Sequence, residues 1–305
     1  MIQEYVNKLI ENLPDDIKKN KTPIVLDLVL DGGVFNGSYL VGALCFLKEM
    51  EKRHYIKIDR ISGCSVGSIV AFTYFIDGLD LMPKLYNIIK NDFKKCYNLK
   101  IITTIKEVLK DNVPQDICQK VNNKFFISYN NIVKGKKIVK SKYKNTDEIY
   151  SSIIKSCFIP YLFDGNCLYK KKYIDGINPY IFNKECNKKI LYLDLFGYDK
   201  IGNLINIKNE KSNYHRILSG LLDVHSFFIK KNSTQMCSYV NDWNYCNWFV
   251  YNIKLLIEKI CIYITYIFIL IKNTISNENK NTFLFKIVTK IFEDFVVLIL
   301  ETYCL

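Results

Sequence analysis

The chain has 305 residues, 49% of them apolar and 24% charged, a balance that excludes a disordered protein and leaves room for a large α/β core. The formal net charge of +13 favours phosphate-bearing partners such as an anionic membrane face. The lysines are dispersed, however, and with neither zinc-finger spacing nor an RNP-like aromatic signature present, no nucleic-acid partner is expected.

The eleven cysteines stand singly with no C-x-x-C pair, which argues against zinc ribbons and redox motifs and fits free thiols in a reducing compartment. Residues 1–22 carry Glu4, Glu11, Asp15 and Asp16 and no apolar run of signal-peptide length. They read as an N-terminal helical segment of an intracellular protein that is not secreted.

Ile24 to Leu30 is a short branched-chain run ending at Asp31-Gly32-Gly33, the pattern of a buried parallel strand entering a glycine turn. From Ser38 to Arg53, Leu40, Leu44 and Leu47 recur at helical spacing. A second unit follows: a brief strand from Ile58 to Ile61, the turn Gly63-Cys64-Ser65-Val66-Gly67, and an apolar helix from Ser68 to Ile76. Residues 80–145 read as surface helices and a lid-like excursion. Asn145 with Glu148 resembles a capping box that opens a helix to Cys157, and Pro160 ends it. Tyr169 to Ile174 and Lys189 to Phe196 read as further strands. The alternation predicts an α/β fold in three layers, with a mainly parallel central sheet flanked by helices. Residues 23–200 form its core and 201–305 a mainly helical C-terminal region. There, Leu255 to Ile271 and Phe283 to Leu300 are apolar helices. The uncharged run Ile260 to Ile271 falls short of the ~20 residues a span requires. These helices are expected to pack on the core or on a membrane surface.

Three glycine turns carry the chemistry. Gly63-x-Ser65-x-Gly67 lies between a strand and a helix, where a strained turn lifts a serine hydroxyl out of the sheet and small neighbours let the backbone pass. The helix N-terminus then favours negative charge at that hydroxyl. Asp31-Gly32-Gly33-Val34-Phe35-Asn36-Gly37 is a second glycine turn, and without G-x-G-x-x-G or G-K-[ST] it suits an oxyanion hole better than a nucleotide. Asp175-Gly176 places a carboxylate at a strand's end, where doubly wound sheets hold active-site groups.

In this order the three turns resemble the patatin-like phospholipase family, with its D-G-G-G-x-[RK]-G motif, G-x-S-x-G elbow and later D-G-[GA] aspartate. Ser156-Cys157-Phe158-Ile159-Pro160 looks like its Ile-Pro segment, and the resemblance runs from about Leu26 to Tyr180. It implies the patatin-like three-layer fold and a lipid acyl hydrolase with a two-residue site. Ser65 would be the nucleophile and Asp175 its base, with Gly32, Gly33 and Val34 forming the oxyanion hole. Asn36, Gly37, Gly63, Gly67 and Gly176 would shape the motifs, and no metal or cofactor would be required. The substrate would be a phospholipid or other acyl-ester lipid, met by peripheral membrane contact. Val34 replaces the family's third glycine, Asn36 its basic residue and Ile177 its last small residue, the last a milder change. Loss of the cation is expected to affect turnover. Burial is expected to raise the pKa of Asp175.

Two further readings remain open. One is a membrane-binding protein of this fold with weak or lost catalysis. The other is a Ser-His-Asp esterase using His225, which follows the apolar Leu221-Leu222, although none of His54, His215 and His225 lies in a recognisable catalytic setting. Cys64, before the turn's apex, is read as a packing residue.

Overall fold

The computed structural model describes residues 2–19, 22–196 and 210–274, residues 202, 204 and 206–208, and single helical positions between 283 and 298. In chain order the described helices are α1 (Ile2–Glu11), α2 (Asp15–Lys18), α3 (Gly37–Lys52), α4 (Val66–Phe75), α5 (Met82–Cys96), α6 (Ile105–Leu109), α7 (Ile117–Val121), α8 (Thr146–Ser156), α9 (Tyr214–Lys230) and α10 (Tyr245–Thr274). The strands are β1 (Ile24–Leu30), β2 (Ile56–Cys64), β3 (Phe125–Asn131), β4 (Lys136–Lys140), β5 (Tyr173–Asp175), β6 (Lys189–Leu193) and β7 (Cys237–Tyr239).

They form one sheet in the order β4-β3-β2-β1-β6-β7, with β5 also pairing β3. The pairs β1–β2, β1–β6 and β2–β3 are parallel, and β4, β5 and β7 add antiparallel margins. The chain leaves β1 toward β2 and returns on its other side with β6. The carboxyl end of β1 is therefore the topological switch point, where such sheets open a crevice.

Strand alternation assigns the two faces. Leu26, Leu28 and Leu30 point into the main core with α3, α4, α5 and α9. Val29 points into a smaller cluster with Phe182, Ile190, Tyr192 and Val240, against which Trp243 and Trp248 pack. The first turns of α10 thus cover the second face. On the first face α3 and α9 cross closely. A Cβ at Gly42 would lie 1.8 Å from the Ile217 carbonyl oxygen, and one at Gly220 would lie 1.9 Å from that of Tyr39.

Several expected boundaries shift. The strand expected from Ile58 to Ile61 spans Ile56–Cys64. Residues 80–145 hold β3 and β4 as well as helices. The strand expected from Tyr169 is a tight reversal instead, with Lys170 and Lys171 at φ 48° and 57°, and only Tyr173–Asp175 is extended. The helix expected from Leu255 starts at Tyr245. At α8 the Asn145 side chain accepts from the Glu148 N–H at 2.9 Å, while the Glu148 carboxylate accepts from Lys144 N–H rather than Asn145 N–H. Most of the helix expected from Phe283 to Leu300 lies outside the described residues.

Candidate active site

The serine turn joins β2 to α4. Ser65 sits at φ 49° and ψ −130°, a region non-glycine residues rarely enter. The strain is held by its surroundings. The Ser65 N–H donates to Ser156 Oγ at 2.9 Å, and the Ser156 hydroxyl donates to the Ser128 carbonyl at 2.6 Å. Gly63 and Gly67 allow the turn to close, since a Cβ at Gly67 would lie 2.6 Å from the Asp31 carbonyl oxygen. Both Ser65 and Asp175 are buried.

Asp175 ends β5 and faces Ser65. Burial pushes its carboxyl up to about 7, opposed by the Ile177 N–H, the Ser65 side chain and the Gly176 N–H, and assisted by the negative charge of Glu258. Its Oδ1 accepts from the Ile177 N–H at 3.1 Å. A carboxyl so placed titrates near neutrality and can exchange a proton with the hydroxyl beside it.

The glycine turn after β1 lies against the serine: a Cβ at Gly32 would stand 3.2 Å from Ser65 Cβ. Of the three residues expected to form the oxyanion hole, Gly32 has its N–H turned to Asp31 Oδ1 at 2.9 Å. The N–H groups of Gly33 and Val34 have no hydrogen-bond partner among the described residues. Val34 occupies φ 40° and Ile177 φ 53°. Both β-branched residues thus hold a left-handed backbone at positions where the motifs have small residues. In backbone terms the Ile177 change is no milder than that at Val34.

Asn36 carries no charge, yet a cation stands at its side. Arg216 of α9 is 2% exposed and donates from Nη1 to Asn36 Oδ1 at 2.8 Å. Its Nε and Nη2 bind the two Glu210 oxygens at 3.0 and 3.1 Å, and Asn36 Nδ2 donates to the Leu195 carbonyl at 3.3 Å. The expectation that the loop lacks a cation is therefore corrected: a distant helix supplies one, paired with Glu210. Gly37 seats this loop against α4, with Val66 Cγ2 2.2 Å from where its Cβ would be.

Beside Ser65 an apolar cavity is walled by Val34, Val66, Ile69, Met82, Leu85 and Cys157, among others. Cys64 is buried and donates to the Ile177 carbonyl at 3.3 Å, and burial pushes its thiol well up, so it packs and stays neutral. His225 lies edge-on to Phe46 beside the main chain of Leu9, and its pKa is lowered by burial. His54 and His215 are exposed. No histidine adjoins Ser65 and Asp175, and the Ser-His-Asp reading has no support.

Ser156 opens the Ile-Pro segment, but its hold on the serine turn was not foreseen; Arg216 on the glycine turn and Lys254 and Glu258 of α10 lie outside the motifs and were missed. The last two are opposite charges four positions apart in an apolar helix, a pattern that signals a polar contact on one face.

Fold and site together define an α/β protein with a serine turn and a carboxylate at the sheet's carboxyl edge. Residues 28–177 match the patatin-like phospholipase family, and the chain carries a domain of that family. It is also similar to the mouse protein "1-acylglycerol-3-phosphate O-acyltransferase Pnpla3", with 28% identity over 154 residues. That stretch is 47% of this chain and 37% of the mouse protein, so the chain spans well under two thirds of its relative.

Proposed function

We propose that the protein is a lipid acyl hydrolase in which Ser65 and Asp175 form the catalytic pair. The observation that carries this reading is a buried carboxyl, titrating near 7, against a serine at the mouth of an apolar cavity. The Ser65 Oγ attacks the ester carbonyl carbon as its proton passes to Asp175. The N–H groups of Gly33 and Val34 receive the oxyanion, helped by the α4 N-terminus. Collapse expels the alcohol, which takes the proton from Asp175, and leaves an acyl-serine. Water, deprotonated by Asp175, attacks the acyl-serine and releases the fatty acid. The cavity wall suits an alkyl chain and offers nothing to a charged headgroup.

The working surface is lipid. On α10, Phe249, Leu256, Tyr263 and Ile264 are each more than half exposed, and the whole chain is basic. Among the described residues no helix is long and apolar enough to cross a membrane, so α10 lies along the interface.

A second reading is favoured by the mouse relative, whose name is that of an acyltransferase: a lipid hydroxyl replaces water in the second step. The test is fatty-acid release from phospholipid vesicles, with and without a lysophospholipid acceptor, by wild type and Ser65→Ala. Release by wild type alone supports the hydrolase, and transfer without release supports the second reading. Equal release by both proteins refutes the serine mechanism.

A further inference from the structure

Helix α10 lies wholly outside the family-matched residues, yet its polar side chains reach the two turns that flank Ser65. Lys254 donates to Asp31 Oδ2 at 3.2 Å and to Asp194 Oδ1 at 2.9 Å. Asp31 is fully buried and opens the Asp31-Gly32-Gly33 turn. Its Oδ1 fixes the Gly32 N–H, and its Oδ2 also accepts from the Tyr192 hydroxyl at 2.9 Å. One helical turn on, Glu258 is 4% exposed. Its Oε2 accepts from Asn178 Nδ2 at 2.9 Å and its Oε1 from Asn130 Nδ2 at 3.0 Å. Lys137 Nζ lies 3.0 Å from both oxygens. Asn130 Nδ2 also donates to the main-chain oxygen of Asp175 at 3.0 Å, and Asn178 Nδ2 to that of Lys254 at 3.1 Å. The residues at the carboxyl ends of β1 and β5 are thus tied to each other through a single face of α10.

Docking a helix does not need this arrangement. Buried ion pairs hold elements together no better than apolar contacts of the same volume, because both charges lose their water. The same helix already has apolar attachment, with Trp248 and Tyr251 packed on Trp243, and Tyr251 also on Tyr192. Charged hydrogen bonds differ in being directional, and these are aimed at the two loops whose geometry the proposed reaction needs.

We propose that Lys254 and Glu258 are positioning residues of the active site: Lys254 sets the Asp31-Gly32-Gly33 turn and Glu258 sets the Asp175–Asn178 turn, so that α10 completes the catalytic geometry from outside the family domain. The catalytic part of this assignment rests on the Ser65/Asp175 reading. The positioning part concerns the geometry of the turns alone. The charged and titratable groups around Asp175 include Ser65, Glu258 with its partner Lys137, and the thiols of Cys64 and Cys157, both pushed well up by burial and therefore neutral.

The test uses the full chain with Lys254→Met, Glu258→Gln and, to loosen the same helix without touching either turn, Trp248→Ala. Amide hydrogen exchange is followed in residues 31–34 and 175–178, and fluorophosphonate labelling of Ser65 is followed against pH. Each variant is compared at an equal distance from its own denaturation midpoint. Lys254→Met should exchange about tenfold faster in residues 31–34 and Glu258→Gln in 175–178, whereas Trp248→Ala should leave both near wild type. Glu258→Gln removes a negative charge beside Asp175 and should move the acid limb of labelling to lower pH. A merely structural contact would not do so. Should either variant fail to fold, Lys254→Arg or Glu258→Asp replaces it with the same exchange expectation, since each keeps the charge but alters its reach; Glu258→Asp should leave the acid limb where wild type has it. Unchanged exchange in both segments overturns the proposal. Wild-type protein that takes no label defeats the hydrolase reading instead, and the exchange comparison still decides the positioning role.

Discussion

Arg216 hydrogen-bonds the Asn36 side chain, so a helix 180 positions along the chain brings a guanidinium to the place where the motif's own residue has no charge. The guanidinium also holds both oxygens of Glu210, and Glu210 in turn accepts from the hydroxyl of Tyr86, which lines the cavity. One buried network therefore connects the glycine turn to the cavity wall.

Arg216→Met should destabilise the protein by about 3–5 kcal/mol, because it strands the Glu210 carboxylate in the interior. Adding Glu210→Gln should recover a large part of that loss. Arg216→Lys, which keeps the charge but not the two-pronged geometry, should fall between. Urea denaturation of the single and double variants measures each step, and additive losses would show that the two side chains do not interact.

On the proposed mechanism, the carboxyl of Asp175 should give activity and stability opposite dependences on pH. Its folded pKa of about 7 lies above the ordinary value of 3.8. The folded state therefore holds this proton where the unfolded chain has released it. Stability from this group is complete below about 4, falls as pH climbs, and is lost above about 7. The proposed mechanism needs the free carboxylate, so activity should rise over the upper part of that window. Asp175→Asn should abolish fluorophosphonate labelling. It should raise the melting temperature relative to wild type at pH 8 and change it little at pH 4. Calorimetry at the two pH values checks the sign.

Val34 and Ile177 hold backbone angles suited to glycine. At an ordinary position, glycine is less stable than alanine by roughly 0.5–1 kcal/mol. Here the order should invert. Val34→Gly should be more stable than Val34→Ala by about 1 kcal/mol, because alanine keeps the left-handed strain while losing the same packing. The same comparison applies at Ile177. Thermal denaturation of the four variants decides it.

Phe249, Leu256 and Tyr263 recur on one side of α10, each more than half exposed. Replacing all three with serine should weaken sedimentation with anionic phospholipid vesicles by about tenfold or more. Hydrolysis of a water-soluble short-chain ester should persist. Loss of both together would indicate damage to the fold rather than to a lipid-facing surface.

Much of this was legible in the sequence. The branched run of β1, the leucine spacing of α3 and the Gly-x-Ser-x-Gly turn are local signals, and local physics fixed them. The margins of the sheet were not legible. In β4, Lys136-Lys137-Ile138-Val139-Lys140 is too charged to resemble a strand until β3 supplies its partner. The three residues of β5 are too few to show a period. Asp175 was found from the turn that follows it, not from its strand. Arg216, Lys254 and Glu258 were missed because each is a polar residue in an apolar helix. Its partners lie far along the chain, and only folding shows that the burial is paired.

Sequence similarity marks which residues are shared, not where a polypeptide becomes self-sufficient. A piece trimmed to residues 28–177 would keep the serine and the acid. It would also leave Asp31 without its ammonium partner, Asn36 without its guanidinium, and one side of β1 bare to water. The recognisable stretch holds the motifs, while the contacts proposed to set their geometry reach as far along the chain as Glu258.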